Sequence, residues 1–164
     1  MIKKNNGFTM LDIMITLSIL LVFTLIAIPR LTSYYTVKLF GVANKLASDI
    51  QYAQQLAISK QIRCGISFNP VTESYFVWEN TVATRAKDPC TRGDMIVSYQ
   101  TEGAYAGVNL LNTNFGNRVE FDSLGRPYNF WGNAFVFAGV VNLQSQGESM
   151  AVLIAPNTGA IRVQ

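Results

Sequence analysis

Residues 8–12 read Phe8-Thr9-Met10-Leu11-Asp12, and IMITLSILLVFTLIAIP follows from Ile13 to Pro29. Between Asp12 and Arg30 no side chain is charged, and only Thr16, Ser18 and Thr24 are polar. Hydroxyls of that kind bond back to carbonyls one turn earlier in a helix. As an α-helix, residues 8–29 are about 33 Å long, enough to cross a hydrocarbon core of about 30 Å. Lys3 and Lys4 precede the run, and basic residues ahead of a first span keep that end cytoplasmic. The bulk of the chain is therefore expected on the far side of a membrane.

This segment holds most of the apolar excess in the 164 residues, which are 49% hydrophobic and only 14% charged, against about 25% charged in an average soluble domain. The absence of histidine excludes Ser-His and Cys-His nucleophiles, His-ligated metals and His-based pH switching. Two cysteines are too few for an all-cysteine zinc site or an iron–sulfur cluster. Glu73, Glu79, Asp88, Asp94, Glu102, Glu120, Asp122 and Glu148 show neither a calcium-loop spacing nor an acid–base pairing. No catalytic residue, metal or cofactor is expected. The formal charge of +3 argues weakly for a polyanionic partner.

Beyond Pro29 the helix is expected to continue to about residue 59, bent at the proline. Leu39, Ala43, Leu46, Ile50, Ala53 and Ala57 step by four and three along one face, opposite a polar face that includes Lys45, Ser48, Gln51 and Gln55. From residue 60 the period changes to two. Ile62, Cys64, Ile66 and Phe68 alternate with polar or small residues, Asn69-Pro70 breaks the chain, and 74–79 is a return strand. Further strands are expected at 95–99, 118–121, 134–143, 150–155 and 160–163, with turns at 122–127 and 157–159. Residues 80–94 are expected as a polar loop. The expected fold is α+β: a long N-terminal helix, hydrophobic in its first half and amphipathic in its second, packed on a C-terminal antiparallel sheet.

An ordinary cleaved secretory signal would need a small-x-small site, and Ala27-Ile28-Pro29 is a poor one. A plain single-pass anchor leaves Asp12 unexplained, since a carboxylate costs about 2.5–3.5 kcal/mol at mid-span and less near the end. The segment Gly7-Phe8-Thr9-Met10-Leu11-Asp12 resembles the prepilin cleavage site of type IV pilins and pseudopilins. The resemblance implies a leader of residues 1–7 removed by prepilin peptidase between Gly7 and Phe8, and N-methylation of Phe8. It implies a membrane and filament-core helix over 8–29, an amphipathic continuation over 30–59, and a periplasmic β-rich domain over 60–164. Asp12 stands at the fifth mature position, where glutamate is usual, and Pro29 where many such subunits have a helix-bending proline.

A filament packed through apolar helices needs a device to set axial register, because hydrophobic contact is non-directional. A carboxylate paired with a neighbour's N-terminal amine supplies one. Asp12 also suits a helix N-terminus through the dipole, by about 0.3–1 kcal/mol; the two roles are compatible.

Asp49 to Ile58, the turn Phe121-Asp122-Ser123-Leu124-Gly125-Arg126-Pro127 and the closing Pro156-Asn157-Thr158-Gly159-Ala160-Ile161-Arg162-Val163 resemble the GspH/FimT group of minor pilins and pseudopilins, with Gln54 where arginine is common. The implied role is a structural subunit of a type IV pilus or a type II secretion pseudopilus. Its partners would be other pilin or pseudopilin subunits, prepilin peptidase, the inner membrane and the assembly platform. It would be anchored in the inner membrane by a single pass, N-terminus cytoplasmic, and later extracted into a periplasmic or surface filament.

Some FimT-type subunits bind DNA through a Gly-Arg motif near the C-terminus. The matching stretch, Gly159-Ala160-Ile161-Arg162, keeps only Arg162, and Arg126 is a second candidate contact for a DNA-uptake role. An oxidising compartment permits a bridge between Cys64 and Cys90. It would close a loop of about 27 residues and add roughly 3–4 kcal/mol in the chain-entropy view. The alternative is a buried free Cys64 and an exposed Cys90.

Overall fold

The computed structural model describes residues 9–101 and 103–164, apart from the side chains of 25–33. A single helix, α1, runs from Met10 to Lys60. Ten strands follow: β1 (Cys64–Asn69), β2 (Ser74–Glu79), β3 (Thr81–Arg85), β4 (Ile96–Ser98), β5 (Asn109–Thr113), β6 (Arg118–Phe121), β7 (Pro127–Asn129), β8 (Gly139–Ser145), β9 (Glu148–Ile154) and β10 (Ile161–Val163). The chain divides into two compact units, Met1–Tyr35 and Thr36–Gln164, each described here on its own.

In the second unit the stripe read from the 3.6-residue period is the buried face of the helix. Leu39, Ala43, Leu46, Ile50, Ala53 and Ala57 are all fully buried. Each leucine or isoleucine so buried is worth about 1.5–3 kcal/mol. They share one core with Cys64, Ile66, Phe68, Tyr75, Val77, Val119 and Phe121, and with Val141, Leu143, Val152 and Ile154. The amphipathic half of α1 thus packs on the chain's own strands, as its stripe predicts.

The strands form two antiparallel sheets. The first has the order β3-β2-β1-β6-β7, with β4 also paired to β2, and the second has the order β10-β9-β8-β5. Nothing in the local alternation of the strands marks that division, which is made by long-range pairing. β1 lies centrally, with Cys64 opposite Glu79 on β2 and opposite Phe121 on β6. On the face away from the core, Gly65 sits directly opposite Trp78. A Cβ at Gly65 would run into the Val119 carbonyl and come within 2.8 Å of the Trp78 ring. The missing side chain is what lets the indole lie across the strand and become 98% buried, its exposure being 2%.

Gln54 joins the helix to both sheets. Its Nε2 donates to the carbonyl of Gly125 at 2.8 Å and to that of Thr158 at 2.9 Å. The first carbonyl lies in the β6–β7 turn and the second in the β9–β10 turn. Both turns carry a glycine in the left-handed region, φ +76° at Gly125 and +66° at Gly159. A Cβ at Gly159 would lie 2.5 Å from Gln54 Nε2 and 2.8 Å from the Gly125 carbonyl oxygen, so the two turns and the amide meet only because that atom is absent.

A second polar tie is deeper. Asp49, only 4% exposed, accepts from Lys45 Nζ at 2.6 and 2.7 Å and from the Tyr75 hydroxyl at 2.7 Å. Burial pushes the Tyr75 phenol well above its ordinary range, and the nearby Tyr99 and Asp49 add to it. The phenol therefore stays protonated and keeps donating to the carboxylate.

Three sequence expectations change. Residues 80–94 contain an edge strand, β3, where only loop is expected. It pairs with β2 through Trp78–Arg85 and Glu79–Thr81 across a register shift. Its side chains are mostly exposed, so it lacks the apolar alternation that betrays a strand. The strand expected over 134–143 begins only at Gly139, whose Cα packs so closely on the Phe135 and Phe115 rings that no Cβ fits. The expected Cys64–Cys90 bridge is not formed. Both thiols are free, Cys64 buried in the core at the start of β1 and Cys90 exposed. Cys90 is held in a turn where the Asp88 carboxylate accepts from the Cys90 and Thr91 amides at 2.7 and 2.9 Å.

Two measurements check this architecture. Gly159→Ala is expected to destabilise the Thr36–Gln164 unit by about 2–3 kcal/mol through strain and the clash with Gln54. Thr158→Ala, which leaves the accepting carbonyl in place, should change the urea midpoint little. In thiol titration without reductant, one cysteine is expected to react in the folded chain and two after unfolding. Burial raises the Cys64 pKa, which slows its reaction further. No reactive thiol in the unfolded, unreduced chain would mean a bridge.

Candidate assembly site

The first unit starts with a reciprocal cap. Thr9 precedes the first helical residue, and its backbone N–H and hydroxyl both donate to Asp12 Oδ2, at 3.0 and 2.8 Å. The Asp12 amide in turn reaches the Thr9 carbonyl at 3.0 Å and the Thr9 hydroxyl at 3.3 Å. This is a capping box with aspartate in place of the usual glutamate. Thr9-x-x-Asp12 ahead of an apolar run is itself a helix start signal, a role for Asp12 beyond those of dipole partner and intersubunit contact.

From Met10 to Phe23 the apolar side chains are at least half exposed, among them Met10 at 81%, Leu17 at 60% and Phe23 at 67%. A helix that is apolar all round is normally buried. Its few polar groups are already satisfied: Thr16, Ser18 and Thr24 donate to the carbonyls of Ile13, Met14 and Leu20 at 2.8–2.9 Å. Such a surface suits lipid or the helices of other chains, and not water.

Gly7 and Phe8, the expected cleavage pair, lie outside the described residues. The helix runs through Pro29, whose side chain is also outside them. Among the described residues no helix is long and apolar enough to cross a membrane. The expected span, 8–29, includes Phe8 and the side chains of 25–29, which are not among those described.

At the far end of the chain, the two cations considered for DNA differ. Arg126 is engaged: its Nε and Nη2 reach Asp122 Oδ2 at 2.8 and 2.7 Å. Arg162 is an exposed residue of the short edge strand β10. Arg118 pairs with Glu120 at 2.7 Å, and Arg63 lies 3.7 Å from the same carboxylate. Most of these cations are thus matched by acids. Among the described residues no group of three His, Cys, Asp or Glu is placed to hold a metal ion.

The family model for the type II transport protein GspH matches residues 42–159. The chain belongs to the GspH family. That match takes in the buried stripe from Val42 onward, Gln54, and both glycine turns that Gln54 holds. Two solved structures share the fold. One is the minor pseudopilin EpsH from the type 2 secretion system of Vibrio cholerae, 12% identical, with a TM-score of 0.57 over 77% of this chain and 96% of that one. The other is the type IV minor pilin FimU of Pseudomonas aeruginosa, 14% identical, with a TM-score of 0.54 over 79% of this chain and 90% of that one. No curated protein matches the chain. A long N-terminal helix packed on antiparallel strands is therefore a type IV pilin-like fold, as the sequence resemblance implies.

Within this GspH-family domain, Asp122 organises the β6–β7 turn. Its Oδ1 accepts from the Leu124 and Arg126 amides at 3.0 and 2.9 Å, and its Oδ2 from the Arg126 side chain. Burial pushes the carboxyl up, but the Arg126 amide and side chain and the Leu124 amide outweigh it and hold the pKa below the ordinary aspartate value. A depressed folded-state pKa contributes stability that is present above the unfolded value and is lost as pH falls through the folded one. Stability is therefore expected to fall as pH drops below about 4. Asp122→Asn should be less stable at neutral pH and show a shallower acid limb in urea unfolding at several pH values.

Proposed function

We propose that this chain is a minor subunit of a type II secretion pseudopilus, structural and not catalytic, inserted in the inner membrane by residues 8–29 and later packed by that helix into a periplasmic filament. The observation that carries the reading is the exposed, all-round apolar helix from Met10 to Phe23 leading into a domain of the GspH family. Burying that surface against lipid and then against neighbouring helices offsets the large cost of leaving it in water. The name of EpsH, a minor pseudopilin of a type 2 secretion system, supports this reading, and that of FimU, a type IV minor pilin, supports its filament-subunit part.

On this proposal residues 1–7 are removed after Gly7 by prepilin peptidase and Phe8 is N-methylated. Asp12 then sets register by meeting the N-terminal amine of a neighbouring subunit. Intact mass of the chain co-expressed with a prepilin peptidase is expected to show loss of residues 1–7 and gain of one methyl group. An unprocessed N-terminus overturns the reading. Asp12→Ala is expected to be cleaved normally but to be missing from sheared or cross-linked filaments. Normal incorporation of that variant would remove the register role from Asp12.

A further inference from the structure

The chain crosses from the first sheet to the second between β7 and β8. There it encloses a cavity of about 580 Å³, lined by Asn114, Asn129, Asn133, Phe115 and residues 134–139. That volume falls in the range of small-molecule sites, about 300–1,000 Å³. No charged side chain lines it. Its base is the buried pair Phe115 and Phe135, with ring centroids 5.4 Å apart.

The polar groups around the cavity divide into spent and unspent. Asn114 donates to the Ala138 carbonyl at 2.9 Å and accepts from the Val140 amide at 2.7 Å. Asn129 Oδ1 accepts from the amides of Trp131 and Asn133, both at 3.0 Å. The Asn129 NH₂ group and the whole Asn133 carboxamide make no hydrogen bond among the described residues. The main-chain N–H groups of Val136 and Phe137 are likewise without partners there.

Of the lining side chains, Phe137 is 82% exposed and stands at the mouth, while Trp131, 67% exposed, belongs to the same connection but not to the lining. The indole is held in place. A Cβ on Gly116 would lie 2.9 Å from Phe130 Cβ and 3.3 Å from Trp131 Cη2, so the pair sits on a bare glycine. Phe130 meets Trp131 edge-on at 5.8 Å and lies under the Arg118 guanidinium at 4.9 Å. Arg118 also donates to the Phe130 carbonyl at 3.3 Å.

We propose that this cleft binds a neutral saccharide, one or two pyranose rings of an oligosaccharide. An ionic ligand would find no counter-charge in the lining. A pure hydrocarbon would cover the unspent amides without pairing them and strip them of water. A pyranose ring satisfies both demands. Its C–H face, with partly positive hydrogens, matches the negative face of an aromatic ring. Its hydroxyls donate and accept, which matches a carboxamide and free main-chain N–H groups. No residue of α1 lines the site, and the proposal does not depend on the filament role.

The test uses the full chain in dodecylphosphocholine, because a sugar-headgroup detergent would compete. Tri-N-acetylchitotriose and maltotriose are titrated separately by isothermal calorimetry in the millimolar range. Saturable binding of at least one is expected. Phe137→Ala and Asn133→Ala should each weaken it roughly ten-fold, with Phe137→Tyr retaining part of the affinity and the far-UV dichroism unchanged. Absence of saturable binding by both sugars overturns the proposal, and so does binding that neither alanine variant weakens.

Discussion

The two protons on Gln54 Nε2 hold the domain to one geometry. An amide NH₂ has two donors at a fixed angle, and here each finds a carbonyl from a different sheet, Gly125 from one turn and Thr158 from the other. Both bonds form only if both turns arrive together, so the amide couples two sheets that share no strand. The glycines follow from that demand. Gly125 and Gly159 take the left-handed backbone that presents those carbonyls, and at Gly159 there is no room for a side chain beneath the amide. Asp122, Arg126 and the closing hairpin are then the supports of two carbonyl oxygens. Glutamine fills this role with neutral donors and leaves no charge to be matched at the junction.

The helix was legible because its constraint is local and periodic. Six positions read from a four-three spacing are six fully buried side chains. The turns at 122–127 and 157–159 were legible because glycine, proline and aspartate there do specific backbone work. The division into two sheets was not, since strand neighbours are chosen by the core and not by the strand. Edge strands were hidden for a related reason. β3 and β5 hold their places through main-chain bonds and carry mostly exposed side chains, so no alternation announces them. The aromatic cleft between β7 and β8 was misread as strand because Phe135, Val136 and Phe137 have strand-like composition. Only the contact of Gly139 with Phe115 and Phe135 shows why pairing starts later.

The two units obey different solvents. In Thr36–Gln164, apolar groups are gathered inward and even the buried carboxylates of Asp49 and Glu120 have cationic neighbours. In the stretch from Met10 to Phe23, apolar groups face outward on every side, and the hydroxyls of Thr16 and Ser18 are returned to the backbone. The Thr36–Gln164 unit has a core of its own. The apolar surface from Met10 to Phe23 is covered only when something outside the chain packs on it, as the proposed passage from bilayer to filament would provide.

The cap at the start of α1 bears on that movement. Thr9 engages only one oxygen of Asp12, Oδ2, while Oδ1 has no partner among the described residues. A cation arriving from a neighbouring chain can therefore join the carboxylate without first displacing threonine. On the proposed register role, docking is an addition and not an exchange, so the helix start need not loosen while the neighbour is engaged or released. Association can then be undone along the same route, with the cap intact throughout.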